Sequence, residues 1–347
     1  MKIKEKKVLV FGSGISGEAA CSLLLREGAE VVLYDGNDKL DREEILSKIP
    51  ESGNGSLQIL LGTLADEKKA QLLKTLDLVV MSPGVPTDLP IVNEMRDRGI
   101  PIWGEIELAY EAGKGEVLAI TGTNGKTTTT SLLGQIMKNY TENTYVVGNI
   151  GNPYTSVALE TTEDSVIVAE MSSFQLETIE TFRPRVSAIL NITPDHLDRY
   201  DHCMQNYIDA KFRITQNQTP DDAFIFWNDD PIIRHELAKH GLKAHLYPFA
   251  AVKEDGAIAY VEDHEVKITE PIAFNMEQEE LALTGQHNLY NSLAAGISAN
   301  LAGIAKENIR KALSDFRGVE HRLEKVARVR GIDFINDSKA TNVNSCW

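Results

Sequence analysis

A short apolar strand running into a glycine-punctuated loop and then a helix constrains this chain more than any other feature. Val117-Leu-Ala-Ile120 leads into Thr121-Gly-Thr-Asn-Gly-Lys-Thr127, and the helix-forming stretch 129–138 follows. That order aims backbone N–H groups and the positive end of a helix at one point, which suits a phosphate. The loop is a shortened form of the usual one, because Ile120 stands five residues before Gly125 where a glycine is expected. With its strand and helix in place it predicts a nucleoside triphosphate over Gly122, Thr123, Asn124, Gly125, Lys126, Thr127 and Thr128. Lys126 would meet the phosphates and Thr127 a Mg²⁺ ion. A surface loop carrying the pattern by accident is the alternative.

At 347 residues the chain is too long for one ordinary domain, so two or three are expected. A formal net charge of -16 argues against a nucleic-acid partner, since duplex binding rests on Lys and Arg neutralising phosphates. An anionic small molecule can still occupy a locally basic pocket. Four apolar residues before Gly12 are far fewer than a signal-peptide core needs, and the apolar run 292–305 is too short for a bilayer span. Cys21, Cys203 and Cys346 are scattered and lack metal-knuckle or disulfide spacing, so a reducing cytoplasm is expected.

The first hundred residues alternate strands at 7–11, 30–34, 58–61 and 78–81 with helices at 17–27 and 66–74, a pattern of α/β class with a parallel sheet. Gly12-Ser-Gly14-Ile-Ser-Gly17 fits GxGxxG, and Asp35 closes the second strand 35 − 17 = 18 residues later. Three readings stay open: a redox dinucleotide, another nucleotide diphosphate, or glycines that let helix and strand pack closely. Ser82-Pro-Gly-Val-Pro86 is either a ligand loop at a strand end or a plain turn.

A first boundary is expected near Gly104, and a second α/β pattern then carries strands at 144–147, 166–169, 186–189 and 224–227. Ile258, Tyr260, Val266 and Ile268 alternate as a small antiparallel hairpin, and helices are expected at 288–302 and 306–316. Three strand ends are polar: Gly148-Asn149-Ile-Gly151, Glu170-Met-Ser-Ser-Phe-Gln175 and Asn191-Ile-Thr-Pro-Asp-His196. Glu170 is read as a Mg²⁺ ligand or, with Ser172, as a helix cap; His196 is read as a metal ligand or a hydrogen-bonding residue. In the helix expected over 201–216, Lys211 shares the apolar stripe of Tyr207, Ala210 and Ile214. Buried, its amine loses its proton easily; otherwise its stem snorkels to the surface.

Together these residues resemble one family, the ATP-dependent Mur ligases of peptidoglycan synthesis. The resemblance also rests on Asp195-His-Leu-Asp-Arg-Tyr200, His287-Asn288, His321-Arg322 and Asn336-Asp-Ser-Lys-Ala-Thr-Asn342, and it runs from Val8 to the last residue. Ser-Ser-Phe-Gln and Asp-Ser-Lys-Ala-Thr-Asn point to the D-glutamate-adding branch. The resemblance implies a UDP-substrate domain over 1–104, a central ATPase domain over 105–317, and at 318–347 the start of a Rossmann-like third domain. It decides the GxGxxG turn against NAD: Gly14, Ile15, Ser16 and Asp35 would meet uridine diphosphate, and Asn149 and Ser172 the sugar or pyrophosphate. It places Thr127 and Glu170 on one Mg²⁺, and Glu170, His196 and Lys211 on a second, Lys211 being carbamylated by CO₂. Lys126, His196 and Lys211 become the catalytic set. Asn288, Arg322 and Asp337 would serve ATP, Lys339 the phosphates, and Thr341 the amino acid.

The implied reaction joins D-glutamate to UDP-N-acetylmuramoyl-L-alanine at the expense of ATP, through an acyl phosphate, in a cytoplasmic monomer. The sequence stops at Trp347, where the family continues, so it reads as a truncated ligase with weak ligation expected of residues 1–347. Competing readings are a ligase of the Mur or folylpolyglutamate type with another amino acid, a nucleotide-sugar-binding fragment without chemistry, and an NAD oxidoreductase.

Overall fold

The computed structural model describes residues 3–50, 53–319 and 324–338. The chain forms two compact units. The first takes the chain as far as Lys114 and adds Gly151–Glu163 and Ser173–Phe182; the second takes Gly115–Ile150, Asp164–Ser172 and the chain from Arg183 onward.

In the first unit, β1 (Lys7–Phe11), β2 (Glu30–Asp35), β3 (Ser56–Leu61), β4 (Leu78–Met81) and β5 (Ile102–Gly104) form a wholly parallel sheet in the order β3-β2-β1-β4-β5. Val8, Leu9, Val10, Leu78, Val79 and Val80 are buried, as continuous apolar runs covered on both faces must be. Strand order reverses at β1, so the loops after β1 and β4 flank the switch point where open sheets bind ligands. The helices are α1 (Ile15–Arg26), α2 (Arg42–Lys48), α3 (Asp66–Leu73), α4 (Pro90–Asp97) and α5 (Glu105–Ala112). Sequence patterning does not reveal α2, which buries only Ile45 and begins at an Asp41 cap accepting from the N–H groups of Glu43 and Glu44.

Packing carries this unit past residue 104. Two carboxylates at the start of α5 are buried, and each binds a segment from much later in the chain. Glu105 Oε1 accepts from the backbone N–H (2.6 Å) and hydroxyl (2.8 Å) of Thr155. Glu107 accepts from the backbone N–H groups of Glu180 (2.8 Å), Thr181 (2.5 Å) and Phe182 (3.0 Å). Burial raises the Glu105 carboxyl above its ordinary range against the Thr155 bonds.

The second unit is built on nine strands in the order β14-β13-β12-β11-β10-β9-β6-β8-β7. Its strands are β6 (Glu116–Thr121), β7 (Thr144–Gly148), β8 (Val166–Glu170), β9 (Val186–Ile189), β10 (Ala223–Trp227), β11 (His245–Val252), β12 (Ala259–Glu262), β13 (Glu265–Ile268) and β14 (Phe274–Glu277). Pairing is parallel from β7 to β12, and β13 and β14 add an antiparallel edge. The alternation at 258–268 is this hairpin, with Ala259 opposite Ile268 and Val261 opposite Val266. Its helices are α6 (Lys126–Tyr140), α8 (Met204–Phe212), α9 (Pro231–Glu236), α10 (Gln286–Leu301) and α11 (Lys306–Asp315), while α7 (Ser173–Leu176) falls in the first unit. A last pair, β15 (Glu324–Val329) and β16 (Ile332–Asn336), forms an antiparallel hairpin. Among the described residues no helix is long and apolar enough to cross a membrane.

The helix expected over 201–216 is shorter. Asp201 and His202 take positive φ of 53° and 55°, which ends the preceding 3₁₀ turn, and α8 starts only at Met204. The last turn, Arg213–Thr215, is 3₁₀.

Candidate active site

The phosphate loop stands between β6 and α6. Gly125 has φ +85°, and a Cβ there would lie 2.3 Å from Asn291 Oδ1, so both the turn and the close approach of α10 require glycine. Helix α6 begins at Lys126 with no acidic residue in its first turn and no side-chain cap. Its N-terminus is thus arranged for an external anion. The segment after β9 and helix α8 hold the loop. Asn124 N–H donates to Asn191 Oδ1 (2.9 Å) and the Asn191 amide returns a bond to Asn124 O (3.0 Å). Thr123 Oγ1 lies 3.1 Å from Thr193 O and 3.0 Å from the Tyr207 hydroxyl.

Lys126 Nζ donates to the carbonyl oxygens of Gly122 (2.9 Å) and Thr123 (2.8 Å). Lys211 Nζ, from α8, donates to the same Gly122 oxygen at 2.8 Å and lies 4.6 Å from the centre of the Tyr207 ring. Its residue is only 1% exposed, so the snorkelling alternative is excluded. Burial, then the nearby Lys126 charge, holds the Lys211 amine well below the usual lysine range, with Asp195 opposing.

Glu170 ends β8 beside the loop strand, opposite Ile120 in register. Oε1 accepts from Asn149 Nδ2 at 2.7 Å, while Oε2 is buried without a hydrogen-bond partner. A buried anionic oxygen left unpaired is costly, and a hard cation meets that need. This fits Mg²⁺ on Glu170. His196 follows β9 with φ 50° and an exposed side chain, its Nε2 3.8 Å from Asp195.

In the first unit, Gly14 precedes Ile15 and Ser16, which open α1 at the switch point, and the Ile15 side chain is exposed. A Cβ on Gly17 would stand 1.9 Å from Gly12 O, so that glycine serves close packing of α1 on β1. Asp35 Oδ2 accepts from the Ser13 N–H (3.0 Å) and hydroxyl (2.9 Å), and Oδ1 from the Asn37 N–H (3.0 Å). Burial raises this carboxyl, but the three bonds overcome it and hold it below the usual range. The Ser82 hydroxyl donates to Gly12 O at 3.1 Å, joining the loops after β1 and β4.

Asn288 Oδ1 accepts from Asn291 Nδ2 (3.3 Å), and Asn291 Oδ1 accepts from Thr129 Oγ1 on α6 (3.2 Å), so the expected adenine residue is linked to the phosphate-loop helix. Sequence reading passed over Asn291, although a buried asparagine on the apolar helix α10 breaks its pattern as Lys211 breaks that of α8. In the sequence Tyr207 reads only as part of an apolar stripe. Thr127, Thr128 and Ser172 are half-buried, the first two in α6 and Ser172 just after Glu170; Asp337 follows β16. Arg322, Lys339 and Thr341 lie outside the described residues.

Fold and site define a nucleotide enzyme of P-loop type, with a second parallel-sheet α/β unit earlier in the chain. The Mur ligase middle domain matches residues 120–299, and the MurD-like N-terminal domain of Mur ligases matches residues 6–104. The chain belongs to the Mur ligase family. It is 62% identical over 351 residues to the UDP-N-acetylmuramoylalanine–D-glutamate ligase of Bacteroides thetaiotaomicron, covering 99% of this chain and 75% of that protein. The same-named ligase of Bacteroides fragilis is 60% identical over 344 residues, with the same coverage. A solved murein peptide ligase from Psychrobacter arcticus shares the fold at TM-score 0.59 and 20% identity, over 96% of this chain and 72% of that one.

Proposed function

We propose that this chain carries the substrate-activating machinery of a ligase that adds D-glutamate to UDP-N-acetylmuramoyl-L-alanine with ATP. Residues 1–104 would hold the UDP substrate, residues 105–317 ATP, and residues 318–347 would open a third domain. Family membership and the 62% identity to a D-glutamate-adding ligase support the substrates. The observation that carries the chemistry is a buried amine beside the phosphate-loop lysine, both bound to one carbonyl.

The γ-phosphoryl group passes from ATP to the L-alanyl carboxylate, giving an acyl phosphate and ADP. The D-glutamate amine then attacks the acyl carbon, and the tetrahedral intermediate collapses to the amide as phosphate leaves. Lys126 leaves its loop carbonyls to stabilise the phosphates, and the N-terminus of α6 adds its dipole. Thr127 and Glu170 would hold one Mg²⁺, and Glu170, His196 and Lys211 a second. The chemistry Mg²⁺ would supply is charge neutralisation on the transferring phosphoryl group. Lys211, kept as a neutral amine, can add to CO₂ through its lone pair and lose a proton. The resulting carbamate carries a negative charge beside the Lys126 ammonium, where a positive one is disfavoured. Asn149 holds Glu170 from the other side.

An amino-acid screen for ADP release in the presence of ATP, Mg²⁺ and UDP-N-acetylmuramoyl-L-alanine tests the reading. D-Glutamate alone should stimulate release and appear in the product; stimulation by another amino acid would reassign the branch.

A further inference from the structure

On the far side of α8 from the phosphate loop, three metal-competent side chains converge. Asp209 lies on α8, Glu236 ends α9, and His240 follows one turn later. His240 Nε2 is 3.3 Å from Glu236 Oε2 and 3.6 Å from Asp209 Oδ1. Ligand atoms about 2.0–2.2 Å from a tetrahedral zinc ion stand roughly 3.3–3.6 Å from one another, so these separations suit such an ion.

The surroundings orient the donors. The His240 ring stacks on Phe212 with centroids 4.1 Å apart and planes 7° apart, which fixes its plane. Glu236 is buried, and Lys239 takes its Oε1 at 2.7 Å, leaving Oε2 turned toward His240. The Gln205 amide bridges the two facing oxygens, 2.8 Å from Asp209 Oδ1 and 3.1 Å from Glu236 Oε2. A neutral amide only solvates two carboxylates, whereas a dication would neutralise them. Among the described residues, no lysine or arginine lies within ion-pair distance of Asp209, so the cluster has negative charge to spare for an ion. Half the Asp209 side chain is exposed, which gives entry from solvent and room for water as a fourth ligand.

The geometry points to a divalent transition-metal site at Asp209, Glu236 and His240, of zinc class and separate from the Mg²⁺ centre. One imidazole among the ligands favours Zn²⁺ over Mg²⁺, which prefers octahedral oxygen. Since Phe212 adjoins Lys211, an ion here would fasten α9 to the helix that carries the buried amine.

The test is Zn²⁺ titration by calorimetry with Mg²⁺ in excess. Wild type should bind one equivalent, and His240→Gln and Asp209→Asn should each weaken it at least tenfold. His196→Ala and Cys203→Ser should retain it. Co²⁺ in place of Zn²⁺ should give the strong visible absorption of four-coordination in wild type and lose it in His240→Gln. Wild type that binds no zinc, undiminished binding in both cluster variants, or loss in His196→Ala or Cys203→Ser would each overturn the site. The cobalt spectrum of wild type decides the matter even if a variant folds poorly.

Discussion

Lys211 and Lys126 share one acceptor, the carbonyl oxygen of Gly122, at 2.8 and 2.9 Å. Burial, and then repulsion between two amines on one oxygen, hold the Lys211 amine well below the usual lysine range, so it yields its proton more readily than Lys126. On the proposed reading, the phosphate loop would also prepare this amine for carbamylation.

Lys211→Ala should reduce kcat by about a hundredfold or more, the scale of losing one positioned electrostatic group. Bicarbonate should not restore the rate, while short carboxylic acids should restore part of it by replacing the carbamate. Wild-type rates in the variant would end the carbamate role.

Glu170→Gln should leave the fold intact, because the amide keeps an acceptor for Asn149 and removes a buried charge whose Oε2 has no partner. Activity should fall steeply and require more Mg²⁺. A Mg²⁺ titration of ADP release reads this directly, and an unchanged Mg²⁺ dependence would remove Glu170 from the metal centre.

Asp35→Ala should weaken UDP-substrate binding about tenfold, through loss of a charged hydrogen-bond acceptor and of the bonds that fix Ser13. ATP affinity should hardly change, since the phosphate loop belongs to the other unit. Calorimetry with each ligand separately checks this, and equal losses would contradict the division of labour.

Asp222 is buried and accepts from Arg183 Nε (2.7 Å) and from the Thr219 N–H (2.7 Å). Burial raises its carboxyl, but Arg183 and Thr219 outweigh it and hold it below the ordinary range. The folded-state value lies under the unfolded one, so the stabilisation is present above the unfolded carboxylate range and is lost as pH falls through the folded value. Asp222→Asn should cost about 1–2 kcal/mol at neutral pH, less than a fully buried pair because Arg183 is partly exposed. Denaturant unfolding at several pH values should show the gap closing in acid; a gap that widened there would reverse the sign.

The phosphate loop was legible because its signal is local: strand, glycine turn and helix are contiguous. Strands β1, β4 and β9 coincide with the expected 7–11, 78–81 and 186–189 for the same reason, each being a short β-branched run. Lys211 was legible as a cation in the wrong stripe, but its burial could not be decided without its neighbours. Strand β11 was hidden by Pro248, which speaks against an inner strand, yet the proline sits beside an irregularity in register where the ladder tolerates it. Glu105, Glu107 and Asn291 were hidden because their partners lie dozens of residues away, a distance over which no periodicity runs.

The carboxylates at the start of α5 also set an order in time. The first unit binds Thr155 through Glu105 and the backbone of residues 180–182 through Glu107. During synthesis, its N-terminal sheet emerges early but cannot complete its packing until Phe182 has left the ribosome, by which point the phosphate loop has already been made. A chain stalled before residue 155 would carry both acids of α5 without the segments that bind them in the folded unit.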